Sequence, residues 1–246
     1  LILTIGSWRW IFALLAAYGA VMTLCVAIGV KESIPEKRSN ALSPPIILST
    51  FKQLFKEQDF LGYTMSNGFA WCGMFAYIVG SPFVLIQGFG FTEQQYAYVF
   101  GVNAAGLILF SQLNVWFLKR HRISAILARA MWVPVLASVG MLVWASISEI
   151  PQWAVLAGLF IYIASLGLIS PNGAALAMQN QMKVAGSASA LMGALQFGLA
   201  SIIGVVMSVI SSHSPVPLIV VMSVCSVAAY VVYGRVANYC PSAIKS

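Results

Sequence analysis

Few side chains in this chain could do covalent chemistry. The two histidines, His121 and His213, fall in separate predicted loops, far apart in sequence. The four cysteines, Cys25, Cys72, Cys225 and Cys240, show no paired spacing. Three of them lie in apolar runs, where a free thiol acts as a small hydrophobe. No nucleophile, base and orienting group can be assembled, no metal-ligand spacing appears, and no glycine-rich phosphate loop is present. The expectation is a protein that is not an enzyme and needs no metal or organic cofactor. Its polar residues could instead hold a small molecule. Tyr63, Asn67, Trp71 and Met74 recur at helical spacing, with Phe75 beside them, so one helix presents rings, a thioether and an amide. Asn103, Gln112 and Asn114 interrupt the apolar run that follows. Walls of this kind suit moderately apolar organic ligands held by a few polar contacts. Ordinary helix packing explains the aromatic stripe equally well; Asn67 is what tilts the reading toward a cavity.

The elements that must position these residues are membrane spans. Of 246 residues, 60% are hydrophobic and 8% charged, against roughly 25% charged in a soluble domain. The chain therefore reads as an all-α, polytopic membrane protein. A spanning helix needs about 20 mostly apolar residues, and seven stretches qualify: 10–30, 60–86, 96–117, 123–147, 153–170, 185–210 and 218–233. The formal charge of +7 marks cytoplasmic loops rather than a nucleic-acid surface. With the N-terminus outside, Arg9 is the only basic residue outside, and the other twelve of thirteen fall inside. This predicts a cytoplasmic C-terminus, with Lys119, Arg120 and Arg122 fixing the inner side of the 60–122 hairpin. Glu32, Glu36, Glu57 and Asp59 belong to an inner segment, and Glu93 and Glu149 to outer turns. No acid falls at membrane depth, where a proton-coupling group normally sits. Every lysine is in a loop or tail, which argues against a Schiff-base photoreceptor.

Residues 31–59 form the one long polar segment and the natural boundary between domains. After Pro44-Pro45, Ile47, Leu48, Phe51, Leu54 and Phe55 recur at helical spacing, as in an amphipathic helix along the inner membrane surface; a solvated linker is the alternative. The expected domains are 1–30, a last helix of an N-terminal bundle; 31–59, a cytoplasmic connection; and 60–246, a six-helix bundle. Three details carry expectations of their own. Ser81-Pro82 should bend or loosen the end of its helix. Arg129 lies two turns into its span, either snorkelling to the inner surface or paired inside the bundle. Ser170-Pro171-Asn172-Gly173 is a breaker cluster in a helix that is otherwise expected to bend and continue through 174–181. In 185–210, Gly186, Ala190 and Ala194 repeat every four residues, as do Ser189 and Gly193, a spacing that allows close helix approach.

Several of these stretches resemble a known family. Trp8-Arg9-Trp10-Ile11-Phe12 resembles the entry to the sixth helix of major facilitator drug antiporters. Gly80-Ser81-Pro82-Phe83-Val84, Val102-Asn103-Ala104-Ala105-Gly106-Leu107, Ser111-Gln112-Leu113-Asn114, Ser170-Pro171-Asn172 with Ala174-Ala175-Leu176-Ala177, and Ala185-Gly186-Ser187-Ala188-Ser189-Ala190 resemble the Bcr/CflA (bicyclomycin-resistance) branch. The resemblance implies helices six to twelve of a twelve-helix transporter that exchanges protons for drugs across the inner membrane by alternating access. Its partners would be a small-molecule drug, protons, the lipid bilayer and the missing N-terminal helices of the same transporter. The chain opens inside an apolar run at Leu1 without a methionine, which fits a fragment. By position, the seventh and tenth helices of that fold would line the cavity. Tyr63, Asn67, Trp71, Met74 and Phe75 are thus the expected substrate contacts, with Asn103, Asn172 and Gln196 beside them. Lys119, Arg120 and Arg122 would set topology and latch an inner gate. Two alternatives stay open: an importer of a small metabolite on the same fold, and a free-standing seven-helix receptor or assembly partner.

Overall fold

The computed structural model describes residues 9–29, 44–210 and 212–239. The entry turn at 6–8, the charged stretch 31–43 with Glu32 and Glu36, and the tail with Cys240 and Lys245 lie outside the described residues. Among the described residues the protein is helical without strands: α1 (Arg9–Gly29), α2 (Pro44–Leu54), α3 (Gln58–Pro82), α4 (Glu93–Leu118), α5 (Ile123–Ala130), α6 (Trp132–Ile147), α7 (Gln152–Met178), α8 (Ala185–Ile210) and α9 (Val216–Tyr239). Seven segments are long and apolar enough to cross a membrane, with α5 and α6 together forming one of them.

The chain divides into two compact units, 1–46 and 47–246. In the first, α1 is a 21-residue apolar helix with no buried residue. The second contains the other six spans and most of α2. The amphipathic pattern of 47–55 does form a helix: Leu54 is fully buried in the core of this unit and Phe51 packs against it, while Leu48 and Phe55 stay exposed. The compact unit that holds the other six spans begins at residue 47 and has Leu54 in its core.

α3 and α7 are the inner helices. α3 packs on α7, α8 and α9 and buries residues all around its circumference, including Thr64, Ser66, Asn67, Cys72 and Tyr77. A helix apolar all round is one that is buried. Cross-links that satisfy the few polar groups fix this packing. Ser66 Oγ donates to the Ala229 carbonyl of α9 at 2.8 Å, and Ser138 of α6 meets Ser226 of α9 at 2.9 Å. Cys72 and Cys225 are buried and free; Cys25 is free and exposed.

Prolines lie inside three spans and shape two of them. Pro82 lacks an N–H for the Ile78 carbonyl, and the chain leaves the α-helix at that point to wind through residues 83–88 as a wider π-helix. Glycine at 90, with φ +72°, then turns the chain into α4. Thr92 and Gln95 exchange a capping box at the start of α4. Pro134 stands in the first turn of α6, and the span 123–147 is jointed at Met131 just before it. By contrast, the breaker cluster at 170–173 does not break α7, which runs unbroken from Gln152 to Met178. Asn172 supports this stretch by donating its side-chain amide to the Leu168 carbonyl at 2.7 Å.

Antiparallel succession places both ends of the unit. At one end, Gln181 donates to Glu57, and Tyr233 Oη donates to the Ser124 carbonyl at 3.4 Å. Lys52, Lys56, Lys119, Arg120, Arg122, Lys183 and Arg235 gather there, with Arg129 two turns along α5. Glu93 and Glu149 stand at the other end.

Candidate functional site

Midway along α3 and α8 lies a cleft of about 120 Å³ lined by Trp71, Phe75, Gln196 and Phe197. Trp71 is held by its indole N–H, which donates to Ser170 Oγ of α7 at 3.1 Å. Phe197 closes the opposite side. Its ring centroid lies 6.3 Å from Trp71 and 6.2 Å from Phe75, edge-on to the latter at 89°. These are favourable aromatic geometries. Phe197 is 61% exposed, so this wall is held by packing on one side only. A 120 Å³ space takes a ring or a branched substituent, since drug-sized ligands occupy pockets of about 300–1,000 Å³. The cleft is one wall of a larger site.

Unpaired polar atoms lie on the same helices. Asn67 Oδ1, one turn before Trp71, and Gln196 Nε2 are buried without a hydrogen-bond partner, as is Thr64 Oγ1 one turn before Gly68. Leaving such a group unpaired costs about 1–3 kcal/mol. Unsatisfied groups that persist in a native structure call for a cause such as a ligand or water. α8 passes close to α3 here: a Cβ on Gly68 would lie 3.2 Å from Leu199 and 3.8 Å from Gln196. α7 closes in from the other side, where a Cβ on Gly173 would lie 3.4 Å from Asn67.

The remaining expected contacts lie elsewhere. Tyr63 is buried and turned toward α9, its ring 6.4 Å from Tyr233. Met74 is half-buried and packs on the core. Asn103 is buried and donates to Tyr77 Oη at 2.8 Å, joining α4 to α3. Asn172 is buried and paired with Asn114 of α4 by reciprocal amide bonds of 2.7 and 3.4 Å. These amides bind helices to one another in the described structure. Lys119, Arg120 and Arg122 are exposed in the α4–α5 turn, with the Arg120 guanidinium 5.0 Å over the Trp116 ring. Sequence reading passed over Phe197, which lines the cleft, and the role of Ser170, which holds Trp71. Phe197 is an isolated aromatic in a small-residue helix, adjacent to the one amide there. Ser170 was read as part of a breaker and of a family-like stretch, without a role toward Trp71, although it stands two residues from Asn172 on the helix expected to line the cavity.

No charged side chain lines the cleft. The acids among the described residues, Glu57, Asp59, Glu93 and Glu149, stand at or near the span ends. With no nucleophile or metal-ligand group in its wall, the arrangement offers binding: two ring faces, one ring edge and amide groups at mid-helix.

A sequence profile of the Major Facilitator Superfamily matches residues 1–205. The chain is 30% identical over 227 residues to a Bacillus subtilis (strain 168) protein called "Uncharacterized MFS-type transporter YdgK", an alignment that covers 92% of this chain and 56% of that protein. It is 24% identical over 226 residues to the "Bicyclomycin resistance protein homolog" of Haemophilus influenzae, again covering 92% and 56%. It is 27% identical over 199 residues to "Multidrug transporter MdfA" of Escherichia coli O6:H1, covering 77% and 46%. The chain spans about half the length of the curated relatives it matches.

Proposed function

Since the chain belongs to the major facilitator superfamily, we propose that it is the C-terminal portion of a proton-coupled multidrug exporter of the Bcr/CflA type, which moves its substrate by alternating access. The observation that carries this reading is the aromatic cleft at mid-span, with unpaired buried amides on the helices that form it. In transporters of this architecture substrate sites lie near the bilayer midplane, at the interface of the repeats. Trp71 and Phe75 are at the middle of α3, and Gln196 and Phe197 at the middle of α8. Two relatives are named for bicyclomycin resistance and multidrug transport, in line with an apolar, aromatic-walled site.

In this reading Trp71, Phe75, Phe197, Gln196 and Asn67 contact the drug. Tyr63, Met74, Asn103 and Asn172 position the helices behind them. The open side of the cleft is completed by a second bundle, which also supplies the carboxylate that exchanges the proton. The protein sits in the inner membrane with its basic end in the cytoplasm. Lys119, Arg120 and Arg122 hold that orientation and latch the inner gate.

The test is export from a pump-deficient strain carrying the full-length gene, with Trp71→Ala and Asn67→Ala as variants. Each should raise intracellular drug to near the level of the empty strain, with membrane abundance unchanged. If both variants export every tested drug as well as the parent does, the cleft is not the site. If the parent gene sensitises the strain to toxic compounds, the direction of transport is inward.

A further inference from the structure

Three buried groups that the cleft does not use meet where α3, α7 and α9 pack together. Cys72 of α3 and Cys225 of α9 are free thiols, 1% and 3% exposed. Antiparallel packing brings them level. Toward one end of the seam Ser66 donates to the Ala229 carbonyl at 2.8 Å. Toward the other, a Cβ on Gly80 would lie 3.1 Å from Leu218. Cys72 lies between Ser66 and Gly80 on α3, and Cys225 between Leu218 and Ala229 on α9. The two thiols meet there in a side-chain hydrogen bond.

Tyr162 of α7 is the third group. It is fully buried, and its Oη has no hydrogen-bond partner. The hydroxyl is pressed onto α3 at Gly73, where a Cβ would collide with it. Gly73 adjoins Cys72, and the phenol interacts electrostatically with both sulfurs, more strongly with that of Cys225. A buried hydroxyl without a partner is destabilising and calls for a cause. A thiol is a weak acceptor and leaves it unsatisfied, whereas an ionised acceptor takes a strong bond from it. A thiolate at this point needs a cation, and no neighbouring side chain supplies one. α7 carries no charged residue, and the charged residues of α3 and α9, Asp59 and Arg235, stand near the helix ends. A metal ion would supply the charge, since a coordinating thiol is deprotonated by its metal.

The donor set selects the ion. No third Cys, His, Asp or Glu joins the pair among the described residues, which excludes a four-ligand zinc site. Two sulfurs suit a soft monovalent d10 ion, which accepts linear two-coordination, and soft sulfur ligands select Cu(I). With one sulfur as thiolate and the other as thiol the complex is neutral, as burial in an apolar interior requires. We propose that Cys72 and Cys225 bind one cuprous ion between their sulfurs, with the Tyr162 hydroxyl donating to the thiolate. Binding forms two Cu–S bonds and releases one proton, from the thiol that becomes the thiolate; no electron is transferred. The site joins α3 to α9, whereas the cleft lies between α3 and α8, so it does not depend on what that cleft carries.

The copper content of the full-length protein tests the proposal. Both sulfurs are buried, so the ion is loaded during expression, in copper-supplemented medium, and loosely held copper is washed away with a cuprous chelator under reducing conditions. By native mass spectrometry the parent should retain one copper that Cys72→Ser and Cys225→Ser each lose. Cys25→Ser/Cys240→Ser, which removes two thiols elsewhere, should retain it. Tyr162→Phe keeps both sulfurs and should hold the ion about 10- to 100-fold more weakly in chelator competition, the usual effect of removing a hydrogen bond to a metal ligand. Zinc in the medium should not take the place of copper. Circular dichroism and melting temperature of the metal-free proteins identify any variant that fails to fold. Retention of the copper by either single cysteine variant, its loss from Cys25→Ser/Cys240→Ser, or zinc in its place would overturn the assignment. So would a parent that carries no copper with both thiols reduced. Undiminished affinity in Tyr162→Phe would overturn the part given to the phenol.

Discussion

The polar residues of the spans fall into two groups that their types alone do not separate. Asn103, Asn114 and Asn172 are amides at membrane depth, and each makes a side-chain hydrogen bond to a neighbouring helix. Asn67 and Gln196 are amides in the same setting and leave one atom unpaired. The first group should behave as structural glue. Asn172→Leu leaves the Asn114 amide buried without its partner and is expected to cost about 1–3 kcal/mol. The double variant Asn114→Leu/Asn172→Leu should cost clearly less than the sum of the singles, because contacting residues couple. Thermal unfolding of the four proteins in detergent measures the cycle, and strict additivity would mean that the amide pair adds nothing. The second group should behave oppositely. Gln196→Leu removes an unpaired donor, so stability should hold or rise by about 1 kcal/mol while affinity for exported drug falls. A ligand-induced shift in melting temperature reads both on one sample. The sequence could show that these positions were polar inside spans. It could not show which were paired, because pairing joins residues dozens of positions apart, 58 for Asn114 and Asn172.

At the scale of elements, length and apolarity located all seven spans, and local chemistry decided their ends. Proline was the ambiguous signal. Pro82 does release its helix, into a π-helical stretch. Pro171 does not: α7 runs unbroken through it, although the Gly167 carbonyl four residues back has no N–H to receive from the proline. Pro134 joints a span that looked continuous, because the Ala130 carbonyl has no N–H to receive. The small-residue repeat of α8 receives no close helix among the described residues of this unit: Gly186, Ser189, Ala190 and Ala194 are exposed, and no side chain or backbone approaches within 4 Å of where a Cβ on Gly186 or Gly193 would be. Spacing permits close approach but does not say which helix arrives. The close approach occurs instead on α7. A Cβ at Gly167 would meet the Leu107 carbonyl and come within 2.8 Å of the Ser111 nitrogen, both backbone atoms of α4. Backbone cannot rotate away as a side chain can. Gly167→Ala should therefore separate α4 from α7 and destabilise by about 1–3 kcal/mol, whereas Gly193→Ala should change little. If the two substitutions lower the melting temperature equally, the α4–α7 crossing is not set by Gly167. At the start of α4, Thr92→Ala removes a capping box and should cost about 1 kcal/mol.

The unit that begins at residue 47 is polarised along the axis of its spans, and this follows from the order of charges in the chain. The hydrogen bond Gln181–Glu57 joins the α7–α8 and α2–α3 connections, and Tyr233–Ser124 joins the end of α9 to the start of α5, so the nearby lysines and arginines collect at one end. Glu93 and Glu149 stand at the opposite end, where no described residue of this unit carries a positive charge. Basic residues in short loops are retained on the cytoplasmic side during insertion, and the asymmetry here leaves no competing signal. The orientation can be tested in intact cells. In a background with Cys25, Cys72, Cys225 and Cys240 replaced, Glu149→Cys should react with a membrane-impermeant maleimide added outside. Lys183→Cys should react only after permeabilisation. Replacing Lys119, Arg120 and Arg122 together by Gln should weaken this preference most, since all three sit in the α4–α5 turn, which must not be translocated. A fraction of molecules should then expose Lys183→Cys to the outside reagent. If that triple replacement leaves labelling unchanged, the cations spread over Lys52, Lys56, Lys183 and Arg235 fix orientation jointly. If Glu149→Cys is protected and Lys183→Cys reacts from outside in the parent, the bundle is inverted and the basic end faces out.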